Sequence, residues 1–86
     1  MSDIKWNELK SERLKKTRGA SFEDILKGKL LGVKKHPAKK HQDIMLFEYR
    51  KYIWLVPFVR EKNGNIFLKT LYPSRKYTKL YKDGKL

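Results

Sequence analysis

Three apolar segments separated by short connections dominate the middle of the chain, and they restrict the fold more than any other feature. DIMLFEY (43–49) and YIWLVPFV (52–59) flank Arg50-Lys51, and a third segment begins after Asn63-Gly64. Runs of β-branched and aromatic residues bounded by turn residues are typical of antiparallel strands. The Asn-Gly pair suits a tight type I′ turn. The pattern therefore predicts at least three consecutive antiparallel strands.

A two-residue turn at Asn63-Gly64 also predicts how the second and third of these strands pair. Arg60 is then opposite Phe67, and Phe58 is opposite Lys69, so Arg60 and Lys69 share one face of the sheet. Both faces are largely apolar, so we expect helices on one face and either the C-terminal segment or another protein on the other. Pro57 has no N–H, which predicts that its strand lies at a sheet edge or is bulged there.

The residues before the strands predict two helices. Good helix formers run from Glu8 to Thr17, and Gly19 is a suitable residue to end that helix. Ser21 then begins a second helix with the acidic residue of a capping box three positions later, and this helix ends near Gly28.

Together these elements predict an α+β fold in a single domain of residues 1–86. IKWN (4–7) is a candidate first strand, and a short helix follows the last strand at the C-terminus. The expected architecture is a small antiparallel β-sheet with two N-terminal helices packed on one face and a short C-terminal helix.

Composition narrows the cellular setting and the cofactors. The 86 residues contain no cysteine, so neither disulfides nor a thiolate metal site is available. The opening residues MSDIKWNELK lack the apolar core of a signal peptide, and the longest apolar run is about half of a membrane-spanning length. We expect a cytoplasmic protein that neither enters a membrane nor binds a cofactor.

The charge of the chain is strongly positive and unevenly distributed. The sequence has 22 basic and 9 acidic residues, a formal charge of +13. Residues 27–41 contain six lysines, two histidines and no acid, and residues 65–86 contain six cations and one acid. Two separate basic blocks indicate a polyanionic partner, of which nucleic acid is the usual one. The alternative is a surface kept soluble by lysine, although such surfaces normally mix both signs.

Several kinds of catalytic site are missing from the sequence. It has no paired carboxylates suited to Mg²⁺, no His/Cys set with zinc spacing and no glycine-rich phosphate loop. What remains is a set of cations, phenols, hydroxyls and histidines. That set is adequate for RNA cleavage without a metal, because RNA carries its own nucleophile in the 2′-hydroxyl beside each phosphate.

Two groups of candidate residues follow. The first group comprises the expected catalytic residues. Three cations would stabilise negative charge on the phosphate: Arg60, Lys69 and Arg75. Three further residues are candidate proton carriers: Glu61, His36 and Tyr77. The expected nucleic-acid-binding residues are Lys34, Lys35, Lys39, Lys40, His41, Ser74, Lys76 and Lys79. Each of these cations has a structural or solvated alternative, and Tyr77 has the alternative of packing on the sheet together with Tyr81.

Three motifs in order resemble those of the BrnT family of toxins from bacterial type II toxin–antitoxin pairs. They are IKWNELK (4–10), GASFED (19–24) and KTLYPSRKYTK (69–79). The resemblance implies a ribonuclease-type toxin with a RelE-like fold. It also implies a cognate antitoxin, a small DNA-binding protein similar to BrnA, which would hold the toxin in a heteromeric complex.

The resulting functional hypothesis is a metal-independent RNA endonuclease that cleaves through the 2′-hydroxyl of its substrate and inhibits translation as a toxin. One alternative is a non-catalytic RNA-binding module that uses the same basic blocks. Another is a protein-interaction partner whose charge is incidental. If one apolar face of the sheet is uncovered, we expect the antitoxin to dock there.

Overall fold

The computed structural model describes residues 3–86, and it confirms the α+β class. The elements in chain order are β1 (Ile4–Lys5), α1 (Glu8–Arg18), α2 (Phe22–Leu26), β2 (Lys29–Lys35), β3 (Gln42–Tyr49), β4 (Tyr52–Arg60), β5 (Ile66–Leu68), β6 (Tyr72–Pro73) and α3 (Arg75–Lys82).

The strands form one mostly antiparallel sheet. Its order is β1-β5-β4-β3-β2, and β6 also pairs with β4. The β1–β5 pair is parallel, and the remaining pairs are antiparallel. Strand β4 is therefore central, whereas β2 forms one edge of the sheet.

The hairpin between β3 and β4 confirms the predicted turn at Arg50-Lys51. Both residues have positive φ, 52° and 65°, and Tyr49 pairs with Tyr52. Two consecutive residues with positive φ match the twist of antiparallel strands, although Arg and Lys adopt that conformation less readily than Asn or Gly. Pairing along all of β3, with β4 residues 52–59, offsets this local cost.

The predicted register of the next hairpin is wrong by one residue. Arg60 pairs with Ile66, and Phe58 pairs with Leu68. The Glu61 N–H donates to the Asn65 carbonyl at 2.7 Å, so the loop contains three residues and Gly64 takes the left-handed conformation with φ 88°. A three-residue loop whose third residue is left-handed is another common hairpin connection. Gly64 is therefore the third loop residue here, whereas the predicted two-residue turn had it as the second.

This change of register separates Arg60 from Lys69. The Lys69 N–H donates to the Pro57 carbonyl at 2.8 Å, so Lys69 is not opposite Phe58. A one-residue shift exchanges the two faces of a strand. The predicted shared face of Arg60 and Lys69 is therefore wrong.

Of the two predicted alternatives for Pro57, the edge strand is wrong, whereas irregular pairing beside Pro57 is observed. Its strand β4 is paired on both sides, with Ile44 of β3 opposite Pro57. The other side of β4 carries β5 up to Leu68 and β6 from Tyr72, and the pairing is interrupted between them. Pro57 lies at this interruption, where a missing N–H costs little because the ladder ends there.

The sheet has a hydrophobic core on each face. On one face, buried residues of α1 and α2 pack on the sheet, including Leu14, Phe22 and Ile25. On the other, Tyr77 and Tyr81 of α3 pack on a buried group from β3 and β4, namely Ile44, Leu46, Ile53 and Leu55. The C-terminal segment thus covers the second face, which is one of the two predicted covers, and the antitoxin surface expected on an uncovered face is wrong. No helix within residues 3–86 is long and apolar enough to cross a membrane.

Hydrogen bonds attach the start of α3 to β4. Ser74 caps the helix, accepting from the Tyr77 N–H at 3.1 Å, and its own N–H donates to the Ile53 carbonyl at 2.9 Å. The buried Thr78 hydroxyl accepts from the Ile53 N–H at 2.9 Å and donates to the Ser74 carbonyl at 2.6 Å. These bonds fix where the cations of the first turn of α3 lie.

The predicted capping box of α2 is present. Ser21 Oγ accepts from the Asp24 N–H, and an Asp24 carboxylate oxygen accepts from the Ser21 N–H. Asp24 also forms an ion pair with Lys15 at 3.0 Å. The Ser21 backbone hydrogen bond, followed by the Lys15 contact, lowers the pKa of Asp24 from its ordinary 3.8 to about 2.

Acid should therefore remove part of the stability through Asp24. Because its folded-state pKa is depressed, its contribution is complete above pH 3.8 and is lost as the pH falls towards 2. We expect Asp24→Ala to lower the free energy of unfolding by about 1 kcal/mol at pH 6 and by much less at pH 2. Urea unfolding at several pH values measures this. A pH-independent loss would contradict the assignment.

Gly28 lies too close to β3 to tolerate a side chain. A Cβ at this position would be 2.3 Å from the Glu48 carbonyl oxygen, whereas one at Gly32 would meet nothing within 4 Å. We expect Gly28→Ala to destabilise the protein by about 1–3 kcal/mol, because backbone must move. Gly32→Ala is the matched control and should change little. Similar unfolding midpoints for the two variants would contradict the close packing.

Candidate active site

A pocket of about 330 Å³ opens at one end of the sheet, where β2 and β4 end and β3 begins. Its lining combines four basic side chains, one carboxylate and one aromatic ring: Lys35, Lys40, His41, Arg60, Asp43 and Phe58. The pocket thus brings positive charge and an imidazole together at one place.

Arg60 is held in this pocket by two neighbours. Its guanidinium donates to a carboxylate oxygen of Asp43, and it lies 5.3 Å from the centre of the buried Phe58 ring. Strand register explains the contact, since Asp43 pairs with Phe58, two residues before Arg60 on the same face. The Arg60 side chain is still 62% exposed, so its remaining N–H donors are available to an anion.

The two histidines are used differently. His36 Nδ1 accepts from the Ala38 and Lys39 N–H groups, both at 3.0 Å, and so shapes the loop between β2 and β3. His41 is exposed and lines the pocket. His41, predicted to bind nucleic acid, therefore lies beside Arg60. His36, predicted to carry a proton, already uses one ring nitrogen in hydrogen bonds within the loop.

A second group of cations lies near Lys69. Burial and then repulsion from Lys69, Arg18, Arg13 and Lys39 lower the pKa of Lys10. Repulsion from each of these groups requires that each lies near Lys10, and in residues 3–86 the only ion pairs are Lys15–Asp24 and Arg60–Asp43. This surface, defined by Lys10, Arg13, Lys39 and Lys69, is well suited to a polyanion.

The candidate residues of α3 lie away from the pocket. Ser74 bonds to Ile53 near the start of β4, and Arg60 is seven residues further along that strand, roughly 20 Å at the rise of a β-strand. Arg75 and Lys76 follow Ser74 in the exposed first turn of α3, with Lys79 one turn later. The expected single cluster of Arg60, Lys69 and Arg75 is therefore not formed.

Tyr77 is occupied by contacts within the protein. Lys34 Nζ donates to its hydroxyl and lies 4.5 Å from the centre of its ring. This pair joins β2 to α3 over the second core. Glu61, by contrast, directly follows Arg60 and is exposed in the β4–β5 loop, so it lies near the end of β4 that carries the pocket.

Sequence reasoning missed two residues, Asp43 and Lys10. The signal for Asp43 was available, because the Arg50-Lys51 hairpin register already places it diagonally across from Arg60. Lys10 gave no signal of its own, since only tertiary packing brings α1 near Lys39 and Lys69. No three His, Asp or Glu residues in the described part of the chain are grouped so that they could hold a metal ion.

Comparison with known proteins gives one informative similarity. No protein-family model and no curated protein matches the chain. Among solved structures, the ribonuclease toxin BrnT of Brucella abortus is similar over 86% of this chain and 97% of that chain, with a TM-score of 0.58 and 19% identity. The chain has a BrnT-like fold. The expected likeness to BrnT is thus confirmed at the level of the fold.

Proposed function

We propose that this chain is a ribonuclease toxin and that the pocket around Arg60 cleaves RNA. The observation that carries the proposal is the set of cations and an imidazole around that pocket in a BrnT-like fold. The similar Brucella protein is described as a ribonuclease toxin. The basic surface of Lys10, Arg13, Lys39 and Lys69 supports the same substrate class, because it suits a phosphate backbone.

In the proposed reaction, the substrate supplies the nucleophile and the pocket supplies charge. The 2′-hydroxyl oxygen attacks the adjacent phosphorus, a new P–O2′ bond forms and the P–O5′ bond breaks. Negative charge grows on the phosphoryl oxygens, and Arg60, held by Asp43, donates hydrogen bonds to them with Lys35 and Lys40 nearby. The products are a 2′,3′-cyclic phosphate and a 5′-hydroxyl.

Two protons must move in this reaction, one from the 2′-hydroxyl and one to the leaving 5′-oxygen. Histidine is the side chain that ordinarily changes charge near neutral pH, and His41 is the histidine in the pocket. We assign His41 the removal of the 2′-hydroxyl proton. Glu61, exposed beside Arg60, is the second candidate proton carrier. Ser74, Arg75, Lys76 and Lys79 then bind RNA outside the cleavage site.

The experiment that tests this function is RNA cleavage in EDTA by purified protein, with Arg60→Ala purified in parallel to exclude a contaminating nuclease. We expect wild type to release fragments ending in a cyclic phosphate and the variant to release them at least about 100-fold more slowly. RNA that binds in a salt-dependent manner but stays intact would instead support a non-catalytic RNA-binding module. If the protein does not bind RNA at all, both the nuclease and the RNA-binding module are excluded.

We also propose that the protein partner of this chain is an antitoxin and that this chain acts in the cytoplasm. Edge strand β2 carries Leu30 and Val33, each 51% exposed, and three lysines but no acid. An acidic segment with apolar side chains would complement that edge. Co-expression with the neighbouring reading frame should yield a complex that Val33→Asp weakens without changing cleavage. An unchanged complex would place the contact elsewhere.

A further inference from the structure

A second cavity, of about 400 Å³, has no part in the proposed cleavage. It lies where β1 pairs with β5 and where α1 begins, and its lining residues are Ile4, Lys5, Trp6, Glu8 and Phe67. Its walls thus combine two aromatic rings with one cation and one carboxylate. That composition differs from the Arg60 pocket, where cations dominate.

The aromatic walls are firmly supported. The Trp6 ring lies 6.1 Å from the buried Phe22 ring, so it is anchored to the core under α1. Phe67 is half-buried, and Lys69 Nζ lies 5.7 Å from the centre of its ring. Strand β1 is held beside β5 by the Ile66 N–H, which donates to the Asp3 carbonyl at 2.8 Å. A flat apolar ligand could stack here without a rearrangement of the backbone.

Glu8 supplies the polar selectivity of the cavity. Its side chain is exposed, and it has no ion-pair partner in residues 3–86. An ionised carboxylate only accepts hydrogen bonds, and two adjacent donors suit its two oxygens. Among the four RNA bases, guanine alone presents two adjacent donors, N1–H and N2–H, on its Watson–Crick edge. Adenine, cytosine and uracil each place an acceptor beside their donor there.

We propose that this cavity is a nucleobase subsite that binds a guanine of single-stranded RNA, stacked on Phe67 and bonded to Glu8. Recognition of unstacked bases by aromatic stacking and by their Watson–Crick edge is the usual means of sequence-specific RNA binding. The inference rests on the proposed function, because it places this guanine in the RNA that the Arg60 pocket cleaves.

The cavity lies near the end of β4 that carries the Arg60 pocket, but on the other face of the sheet. Phe67 pairs with Val59, the residue before Arg60, so an RNA strand that visits both sites passes around this end of the sheet. Lys69 is near both Phe67 and Lys10. The phosphate of a nucleotide bound in the cavity therefore has positive charge beside it.

Nucleotide titration tests the subsite without requiring cleavage. We expect 5′-GMP to shift the backbone amide signals of residues 4–8 and 67 in NMR spectra, with affinity roughly 10-fold above that of AMP, CMP or UMP. Glu8→Gln should remove the preference for GMP, and Phe67→Ala should weaken all four nucleotides by roughly 10-fold. Glu12→Gln, an exposed change one turn along α1, is the matched control and should alter neither.

The outcomes separate the subsite from the proposed function. Equal affinities for the four nucleotides, or a GMP preference unchanged by Glu8→Gln, would overturn the guanine subsite even if RNA is cleaved. GMP selectivity that depends on Glu8, together with RNA left intact in EDTA, would uphold the subsite and overturn the nuclease. If the guanine subsite and the ribonuclease function are both correct, wild type should cleave an RNA of mixed sequence next to guanine. Glu8→Gln should then cleave next to the other bases as well.

Discussion

Replacing Arg60 with alanine should reduce the rate of RNA cleavage by roughly 10²–10³-fold, which is the usual cost of removing one donor aimed at transition-state charge. The same change should lower the free energy of unfolding by less than about 1 kcal/mol, because the Arg60–Asp43 pair is largely exposed on the Arg60 side. Single-turnover cleavage and urea unfolding of the same preparations measure the two effects.

Substitution by lysine provides a matched control for charge. Arg60→Lys keeps the charge but loses the planar set of donors, so cleavage should still fall at least about 10-fold. Arg50→Lys makes the same exchange in the β3–β4 turn, at the opposite end of the sheet, and cleavage should be unchanged. Equal effects at the two positions would make Arg60 a general contributor to charge rather than a residue of the site.

His41→Ala should reduce cleavage by roughly 10²–10⁴-fold, the range expected when a general acid or base is removed. The loss should be accompanied by a flatter dependence of the cleavage rate on pH, because the assigned proton carrier is gone. RNA affinity should change much less, since the lysines of the pocket remain. A pH–rate profile recorded for wild type and variant under single-turnover conditions tests this assignment.

His36 provides the histidine control. Its Nδ1 accepts two backbone N–H groups, a role that an asparagine side-chain oxygen can also fill. His36→Asn should therefore keep the loop and the wild-type pH profile. If His36→Asn flattens the profile and His41→Ala does not, proton transfer belongs to His36 and the assignment made here is wrong.

Local chemistry in the sequence was sufficient to predict most of the elements. The capping box at Ser21, the helix end at Gly19 and the strands on each side of Arg50-Lys51 all have short-range signals, and the structure contains each of them. The position of α3 was left between two alternatives, because amphipathic spacing at Tyr77 and Tyr81 does not say which surface they cover. In the structure both tyrosines pack on the second face of the sheet.

The arrangement of the candidate site was less predictable, because it depends on one residue of register. Asn63-Gly64 fits either a two-residue or a three-residue loop, and the choice decides whether Lys69 lies beside Arg60. Asp43 reaches Arg60 through pairing between strands that the sequence had already indicated. Lys10 reaches its neighbouring cations through helix packing, which no short-range pattern encodes.

The most direct test of the cleavage site is a comparison of Arg60→Ala with Arg75→Ala in RNA cleavage at matched RNA occupancy. The two arginines are both exposed, but they lie near opposite ends of β4. We predict that the cleavage rate falls by roughly 10²–10³-fold in Arg60→Ala and stays within about threefold of wild type in Arg75→Ala. Retained cleavage in the first variant and loss in the second would contradict the assignment and move the reaction to the start of α3.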